Sequence, residues 1–564
     1  MKDKGTILIN IRPSKLALHI SLLCSCFASA AVLADPSTSV ASATSVIIPS
    51  TAEADTRANN SLSAANYDVT LAYANTTRQS DFDLANFSGD ASGSSATTQK
   101  NWWGATAELS ILMVMGELLY KVGEDSMEVD QDYELSGNEA KYFWNRLTDE
   151  EYWKYDDNDI GMNWGHAYAG ALYYQAFRNN GFNYYESSLG TLFSSTFWEV
   201  VAEYKEVVSI NDQIVTTWGG MVLGEGLFQF SEMLATKDGW IPTTLSWAFN
   251  PGQMVFGWFD AASPARFNRS KVKDEFNLYT GVRYSDKQQA DVTSTMMTFG
   301  MEASVDSRAG HYDNFSSTPT WVEMQMETGI SQEGVEDWQM TTQLLLGGYA
   351  GQQQSHSALA DAWSHSFYIG PSTGMEYTSI GLEEDEDFYA VVNLLGLSLG
   401  GEWANQDLKF SVRSDIFGDF AMVKPFATKD YHAQGLHFWG TKSVLWEGEY
   451  GYTWGHTFNL SAEASYRNLA LGFKIKSQRW DSIDGKNRER QPGWNPNVRD
   501  VDFKDARDRY QVYLSYEVNQ DISITAHHER IDRSGEIHGI DIPSIYSRLD
   551  DTEQRSWIEV VFHY

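Results

Sequence analysis

Alternation of apolar and polar residues is the feature that most constrains the fold of this 564-residue chain. From about residue 275 onward the hydrophobic period is two residues, the period of a β-strand. In TFNLSAEASYR, for example, Phe458, Leu460 and Ala462 alternate with polar residues. About twelve such segments begin near residues 275, 293, 319, 337, 365, 388, 408, 454, 468, 509, 521 and 555. The second half of the chain is therefore predicted to be all-β.

Two architectures give strands one apolar and one polar face. In a soluble sandwich the apolar face packs against a second sheet, whereas in an outer-membrane barrel it faces lipid. The barrel is favoured by an export signal, by turns without helices between strands, and by a last strand ending on Phe562 and Tyr564. Closure also pairs every strand edge, which a bilayer requires. We predict a transmembrane antiparallel barrel of about 12 strands, an even number, over residues 251–564.

Loop lengths agree with a barrel whose carboxy terminus is periplasmic. The turns near residues 405, 467 and 519 are short, as periplasmic turns are. The connections 424–445, 478–507 and 532–554 are long and are predicted to be external.

The amino terminus has the pattern of a secretory signal. Lys2, Lys4, Arg12 and Lys15 precede a short apolar run that ends in small residues, with cleavage expected after Ala30 or Ala34. We assign residues 1–34 to a signal peptide and the Ser/Thr/Ala-rich residues 35–100 to a flexible leader. Both cysteines lie in the signal, so the mature chain has no disulfide and no cysteine ligand.

Charge excludes one class of partner. The formal net charge is −35, and nucleic-acid binding needs Lys and Arg to neutralise phosphates. We therefore expect no nucleic-acid partner. The expected partners are outer-membrane lipid and the barrel-assembly machinery, which would engage the carboxy-terminal strand.

Residues 101–250 have the helical period and are predicted to form a block of about four helices. The four patterns begin near residues 105, 163, 184 and 210, and the letters NNG at 179–181 indicate a helix end. No run reaches the ~18 to 20 apolar residues that a membrane-spanning helix needs.

The candidate site lies in this block. Glu199 and Glu203 are four residues apart and would point the same way from one helix, and Asp212 opens the next helix. His166 lies near the start of an earlier helix. Such a cluster can bind a divalent metal or act as acid and base. The alternative is that these are buried structural groups that hold helices together. Which metal or cofactor, if any, would bind is left open.

Two further features of the block have two interpretations each. The acidic residues Asp156, Asp157 and Asp159 could ligate calcium or form a solvated helix cap. Arg178 could bind a phosphate or lipid headgroup, or pair with a carboxylate.

The block also resembles a known family. Its pattern is a Trp, an acidic cluster, Asn, His, Gly-x-x-Tyr-Tyr, Arg-x-Asn-Gly, Trp-Glu, Glu, Ser-Ile-Asn-Asp, Thr-Thr and Gly-Glu. The matching residues are Trp153, Asp156, Asp157, Asp159, Asn163, His166, Gly170, Tyr173, Tyr174, Arg178, Asn180, Gly181, Trp198, Glu199, Glu203, Ser209, Ile210, Asn211, Asp212, Thr216, Thr217, Gly224 and Glu225. These residues resemble domain-of-unknown-function family 3943, whose members are exported bacterial barrels with this helical block. Ala167 and Gln229 depart from its pattern, which has Pro and Arg there. The resemblance implies location and architecture but no activity.

Three functions remain open at this point. The first is a Gram-negative outer-membrane barrel that the helical block plugs or caps at its periplasmic end, with a structural or transport role in the cell envelope. The second is an outer-membrane hydrolase acting on lipid through His166, Glu199, Glu203 and Asp212. The third is a soluble secreted sandwich that binds carbohydrate through its aromatic residues, although Trp and Tyr also form the interfacial girdles of barrels.

Overall fold

The structure, a computed structural model, describes residues 100–124, 139–155, 160–204, 206–256, 272–287, 292–332, 334–354, 363–382, 386–436, 450–483, 501–540 and 542–564. The predicted signal peptide, the leader up to residue 99, and the acidic residues Asp156, Asp157 and Asp159 lie outside these ranges.

The helical region precedes the strands. Its helices are α1 Trp102–Glu124, α2 Glu139–Thr148, α3 Ile160–Asn179, α4 Tyr184–Phe197, α5 Ile210–Ile214, α6 Gly220–Leu234, α7 Trp240–Phe249 and α8 Pro251–Phe256. The four predicted helices are confirmed as α1, α3, α4 and the α5–α6 pair, and Gly181 at φ 87° ends α3. The short helices α2, α7 and α8 were not predicted. Two π-helical turns, Trp198–Ala202 and Val215–Gly219, interrupt the regular geometry.

A two-stranded parallel sheet crosses the helical region. It pairs β1, Trp153–Lys154, with β2, Val208–Ser209. The remaining strands are β3 Lys273–Lys287, β4 Val292–Asp306, β5 Asn314–Ser316, β6 Trp321–Ser331, β7 Gly334–Leu345, β8 Gly348–Gln354, β9 Ser364–Gly381, β10 Glu386–Ala404, β11 Leu408–Val423, β12 Gly451–Tyr466, β13 Leu469–Ser482, β14 Val501–Asn519, β15 Ile522–Gly539 and β16 Tyr546–His563. A further short helix, α9 Thr428–Ala433, follows β11.

These strands close into an antiparallel barrel of twelve. The last strand, β16, pairs with β3 from Glu553 opposite Lys287 to His563 opposite Asn277. The other end of the sheet closes because β10 pairs with both β9 and β11. The barrel strands are β3, β4, β6, β7 and β9 to β16. The predicted fold class and strand number are confirmed.

Two short strands complete the barrel wall. Both β7 and β8 pair with β9, separated by a break at Leu346 and Gly347. The neighbouring strand is divided in the same way: β5 pairs with β8, and β6, which follows β5 in the chain, pairs with β7. Gly347 has φ 144°, and a Cβ there would lie 2.3 Å from the Ser316 carbonyl oxygen, so glycine is required at the break.

The two faces of the wall differ as the alternation predicts. On β9, Phe367 and Ile369 are exposed and point outward. The alternate residue Glu376 points inward, where it accepts a hydrogen bond from Lys476 of β13, a strand that is not a neighbour of β9. Only side chains that share the lumen can meet in this way. The outward face is therefore apolar and the inward face polar.

The helical region packs against the outside of this wall. Thr373 and Tyr377 share the outward face of β9 with Phe367 and Ile369, because β9 has no bulge. Trp218 donates a hydrogen bond to Thr373 Oγ1 at 2.8 Å. The Trp164 ring lies 4.6 Å from the Tyr377 ring, centroid to centroid.

The same arrangement holds on other strands. On β4, Met297 and Phe299 are exposed, whereas Ala303 and Val305, further along the same face, are buried in the core shared with the helices. On β11, Phe420 stacks with Tyr155 of the helical region. The expectation that the helical block plugs or caps the lumen is therefore wrong for the described residues. The pattern did not reveal this because an apolar outward face suits a covering helix as well as lipid.

Close contacts between α3 and α6 make the helical region compact. A Cβ on Gly220 would lie 2.5 Å from the Gly170 Cα, and one on Gly224 would lie 2.8 Å from the Tyr174 Cβ. Glycine at these positions lets the two backbones approach closely. The next glycine along α6, Gly226, faces Thr342 of β7 and seats the helix on the barrel wall.

Candidate functional site

The structure places the candidate residues His166, Glu203 and Asp212 within reach of one another. His166 Nδ1, on α3, lies 3.5 Å from Asp212 Oδ1, on α5. Glu203 is close enough to both for their charges to act on it. Burial is the main cause that raises the pKa of Glu203 to about 8, and Glu206 and Asp212 add to the shift while His166 opposes it. We call His166, Glu203 and Asp212 the acidic cluster.

Glu199, the fourth candidate, has a different role. It is buried, and its carboxylate accepts a hydrogen bond from the backbone N–H of Ser209 at 3.0 Å. Glu203 lies just beyond the π-helical turn Trp198–Ala202 and accepts a hydrogen bond from Trp198 Nε1 at 2.9 Å. The spacing of four residues therefore does not place the two carboxylates in regular α-helical register. Glu199 joins the helical turn to β2.

The Ser-Ile-Asn-Asp segment orients Asp212. Ser209 is the N-cap of α5, and its Oγ accepts a hydrogen bond from the Asp212 backbone N–H at 3.1 Å. The Asn211 side chain donates to Asp212 Oδ1 at 3.1 Å. Asp212 is thus held beside His166 Nδ1 by its own chain neighbours.

Arg146 of α2 is a residue that the sequence reading missed. Its side chain is buried, and it donates hydrogen bonds to the backbone carbonyls of Val200, Glu199 and Glu203 at 2.8, 2.8 and 3.0 Å. It thereby caps the π-helical turn that leads into the acidic cluster. Because all three partners are backbone atoms, no sequence pattern marks this contact.

Arg178 pairs with a carboxylate, the second of its two sequence-based interpretations. Its guanidinium binds Glu225 through Nε at 2.8 Å and through a terminal nitrogen at 3.0 Å. Tyr174 and Gln229 donate to the same carboxylate, each at 2.7 Å. Gln229, which stands where the family pattern has Arg, thus supplies a neutral donor to Glu225. This four-residue network joins α3 to α6.

Metal ligation finds no support in the part of the chain that the structure describes. No group of three or more His, Cys, Asp and Glu residues there is placed to hold a metal ion. The helices among the described residues include none long and apolar enough to cross a membrane.

Buried ion pairs cross the barrel lumen. Arg533 and Asp387 lie 2.5 Å apart, and Arg507 binds the other carboxylate oxygen of Asp387 at 2.8 Å. Arg555 bridges Glu553 at 2.8 Å and Asp337 at 3.5 Å. The full set, which we call the lumen network, is Arg507, Asp387, Arg533, Glu553, Arg555, Asp337, Arg283 and Glu327.

Taken together, the strand pairing and the helical contacts define the class: an outer-membrane-type β-barrel of twelve strands with a helical region on its wall. Residues 152–251 match the family model described as Domain of unknown function (DUF3943). The match lies within the helical region, and the predicted resemblance is confirmed.

The chain is similar to several solved porin and outer-membrane barrel structures. The NanC porin is 10% identical, with a TM-score of 0.22, over 50% of this chain and 98% of the porin. A loop-deletion mutant of OmpT from Vibrio cholerae is 10% identical, with a TM-score of 0.19, over 52% of this chain and all of OmpT. The translocator domain of the autotransporter NalP from Neisseria meningitidis is 10% identical, with a TM-score of 0.18, over 52% of this chain and 88% of the domain. No curated protein matches the chain. The fold class rests on the strand pairing, since these TM-scores are low.

Proposed function

We propose that this protein is a non-conducting barrel of the Gram-negative outer membrane, with a structural role in the cell envelope as the support for its DUF3943 domain. The lumen network is the observation that carries the proposal. Export through the cleaved signal peptide 1–34 and insertion by the barrel-assembly machinery through β16 belong to the same proposal.

The outward face supports the membrane location. Leu395, Leu397 and Leu399 of β10 are exposed, and so are Leu514 and Tyr516 of β14. Exposed apolar side chains at every second position are what lipid requires of a barrel strand. In water, such a surface would be a large apolar patch that soluble monomers rarely expose.

The lumen network supports the absence of conduction. Its residues come from β3, β6, β7, β10, β14, β15 and β16, so the ion pairs tie together strands all around the wall. Arg533, Glu553 and Asp387 have no solvent-exposed side-chain surface. Breaking a buried pair by removing one partner is strongly destabilising, so the network does not open at small cost. A pore through the described residues would have to separate these charges.

The hydrolase alternative has weaker support. Glu199, one of its four proposed groups, is buried, and its carboxylate accepts a hydrogen bond from the Ser209 backbone N–H, a contact that joins the π-helical turn to β2. The contact between His166 and Asp212 also serves to hold α3 to α5.

Two measurements test the proposal. Membrane fractionation should recover the mature chain with the outer membrane, and recovery from the periplasmic wash without detergent would overturn the location. In planar bilayers, protein shown to be inserted by co-flotation with liposomes should leave the membrane sealed at all voltages. Steady single-channel currents from the native protein would contradict the non-conducting role, and a known porin serves as the positive control.

A further inference from the structure

We infer that the outer face of the helical region is a lipid-contacting surface that lies in the hydrocarbon of the bilayer beside the barrel. This outer helix face consists of residues of α1, α2 and α4. Its residues are Ile111, Val114, Met115, Leu118, Phe143, Trp144, Leu147, Leu189, Leu192, Phe193 and Phe197. The inference rests on the proposed membrane location and adds that the DUF3943 domain shares it.

Helix α4 has the polarity of a lipid-facing helix. Leu189 and Phe193 are 67% and 66% exposed, whereas Thr191 and Ser194 on the opposite face are buried. A helix on the surface of a water-soluble protein buries its apolar stripe and exposes its polar one. Here the order is reversed, and small polar residues line the interior contact, as they do between helices in membranes.

Two of the buried hydroxyls of α4 bind carbonyl groups within the helix. Thr191 donates to the Ser187 carbonyl at 2.9 Å, and Ser194 donates to the Gly190 carbonyl at 2.8 Å. Gly190 itself lies against the ring of Phe177 of α3, where a Cβ would come within 2.4 Å. The polar face of α4 is therefore a packing surface for α3, and its large apolar side chains are left on the outside.

Helix α1 also presents large apolar side chains to the outside. Ile111, Val114 and Leu118 recur at helical spacing and are all exposed. On the inward face, Glu108 is buried and accepts a hydrogen bond from the Asn180 side chain at 2.9 Å. A carboxylate thus points into the domain while leucine and valine point away from it.

In α2, a buried charged residue lies next to exposed apolar residues. Arg146 is 0% exposed, while its neighbour Leu147 is exposed and Trp144 is 64% exposed. Burying an arginine and exposing a tryptophan is unfavourable in water. It is favourable where the surroundings are hydrocarbon and the guanidinium has carbonyl partners inside the domain.

The position of the domain on the barrel wall indicates that lipid contacts the outer helix face. The helices cover outward residues of the barrel wall, and the wall that they leave uncovered is apolar as well. Phe299 of β4 is exposed on the face that carries the covered Ala303, and Trp454 of β12 is exposed beside the covered Phe420, with ring centroids 5.4 Å apart. The outer helix face therefore continues the surface that the barrel itself presents to lipid.

The chain is well suited to a site-directed test. Cys24 and Cys26 are its two cysteines, so in a background where both are replaced by serine, single cysteines can carry a nitroxide spin label. Phe193→Cys and Val114→Cys probe the outer helix face. Leu397→Cys probes the barrel wall, and Asp407→Cys probes a turn between β10 and β11.

Electron paramagnetic resonance in liposomes then measures collisions with oxygen, which concentrates in hydrocarbon, and with a water-soluble nickel chelate. We expect Phe193→Cys and Val114→Cys to favour oxygen as strongly as Leu397→Cys, and Asp407→Cys to favour nickel. If nickel collisions dominate at the helix probes while oxygen collisions dominate at Leu397→Cys, the inference is overturned and the membrane location stands. Nickel access at Leu397→Cys as well would overturn the location. Helix probes shielded from both reagents would show a protein partner, such as a second copy, and would also overturn the inference.

Discussion

Arg533 of β15 and Asp387 of β10 form an ion pair across the lumen, and neither side chain has any solvent-exposed surface. The two strands are not neighbours in the sheet, so this contact bridges the interior of the barrel. Asp387 also binds Arg507 of β14. One carboxylate therefore contacts two buried guanidinium groups, and Glu553 also pairs with Arg533.

Replacing that carboxylate should strongly destabilise the barrel. Asp387→Ala leaves Arg507 and Arg533 buried without their shared partner, and the expected loss is about 3–5 kcal/mol of unfolding free energy. The measurement is the urea midpoint of the detergent-solubilised barrel, read from its heat-modifiable mobility. The matched control is Asp532→Ala. Asp532 lies on the outward face of β15, where its partner Arg530 is exposed, and its loss should have little effect. Equal effects of the two variants would contradict a buried network.

The glycine contact between α3 and α6 makes a second prediction. Gly220→Ala places a Cβ 2.5 Å from the Gly170 Cα, a clash with backbone that no rotamer relieves. We expect the helical region to lose about 1–3 kcal/mol of stability, as overpacked sites do. Gly165→Ala on α3 is the control, because nothing lies within 4 Å of its Cβ and alanine favours a helix. Amide hydrogen exchange of α3 and α6 should rise in the first variant only.

The raised pKa of Glu203 predicts how the stability of the helical region depends on pH. Its pKa is raised to about 8 in the fold from an ordinary value of 4.5, so folding favours the protonated carboxyl. The stabilisation is complete below about pH 4.5 and is lost as the pH rises through 8. Helix α4 and its π-helical turn should therefore exchange amide hydrogens more readily at pH 9 than at pH 5.

Glu203→Gln isolates this contribution. The variant cannot ionise, so the ratio of wild-type to variant exchange should rise with pH as the wild-type carboxyl loses its proton. Comparison at each pH removes the intrinsic pH dependence of exchange. A ratio that stays constant from pH 5 to pH 9 would show that Glu203 is ionised at the lower pH.

The sequence predicted which side chains of a strand share a face, but not whether lipid or helices cover that face. Alternation assigns Phe367 and Met375 of β9 to one face, and the structure agrees. The two residues nevertheless have different neighbours: Phe367 is exposed, whereas Met375 lies under the helices. Both environments are apolar, and a pattern of polarity cannot distinguish them.

The candidate site was predictable in part. His166 and Asp212 belong to a recognisable family pattern, and the fold brings them together. The roles of Glu199 and Arg146 depend on backbone atoms of other segments, namely the Ser209 N–H and the Val200 carbonyl. Backbone partners have no sequence identity, so residues that bind them leave no pattern.

The last prediction tests the side of the wall on which the helices lie. Thr373 and Thr378 are both fully buried on β9 and point to opposite faces. Thr373 Oγ1 accepts the Trp218 hydrogen bond, so Thr373→Val leaves a partly buried indole N–H without its acceptor, at a cost of about 1–3 kcal/mol. Amide exchange in α6 and its preceding π-helical turn should rise.

Thr378→Val is the matched control for that variant. Thr378 faces the lumen, where its hydroxyl lies 3.3 Å from Glu376 Oε1, and the substitution should leave helical exchange unchanged. If the helices occupied the lumen, the two variants would have opposite effects, with the loss of protection following Thr378→Val. Each variant replaces one hydroxyl with a methyl group, and the two lie on opposite faces of β9. The pair therefore distinguishes a domain on the outer wall from a plug in the lumen.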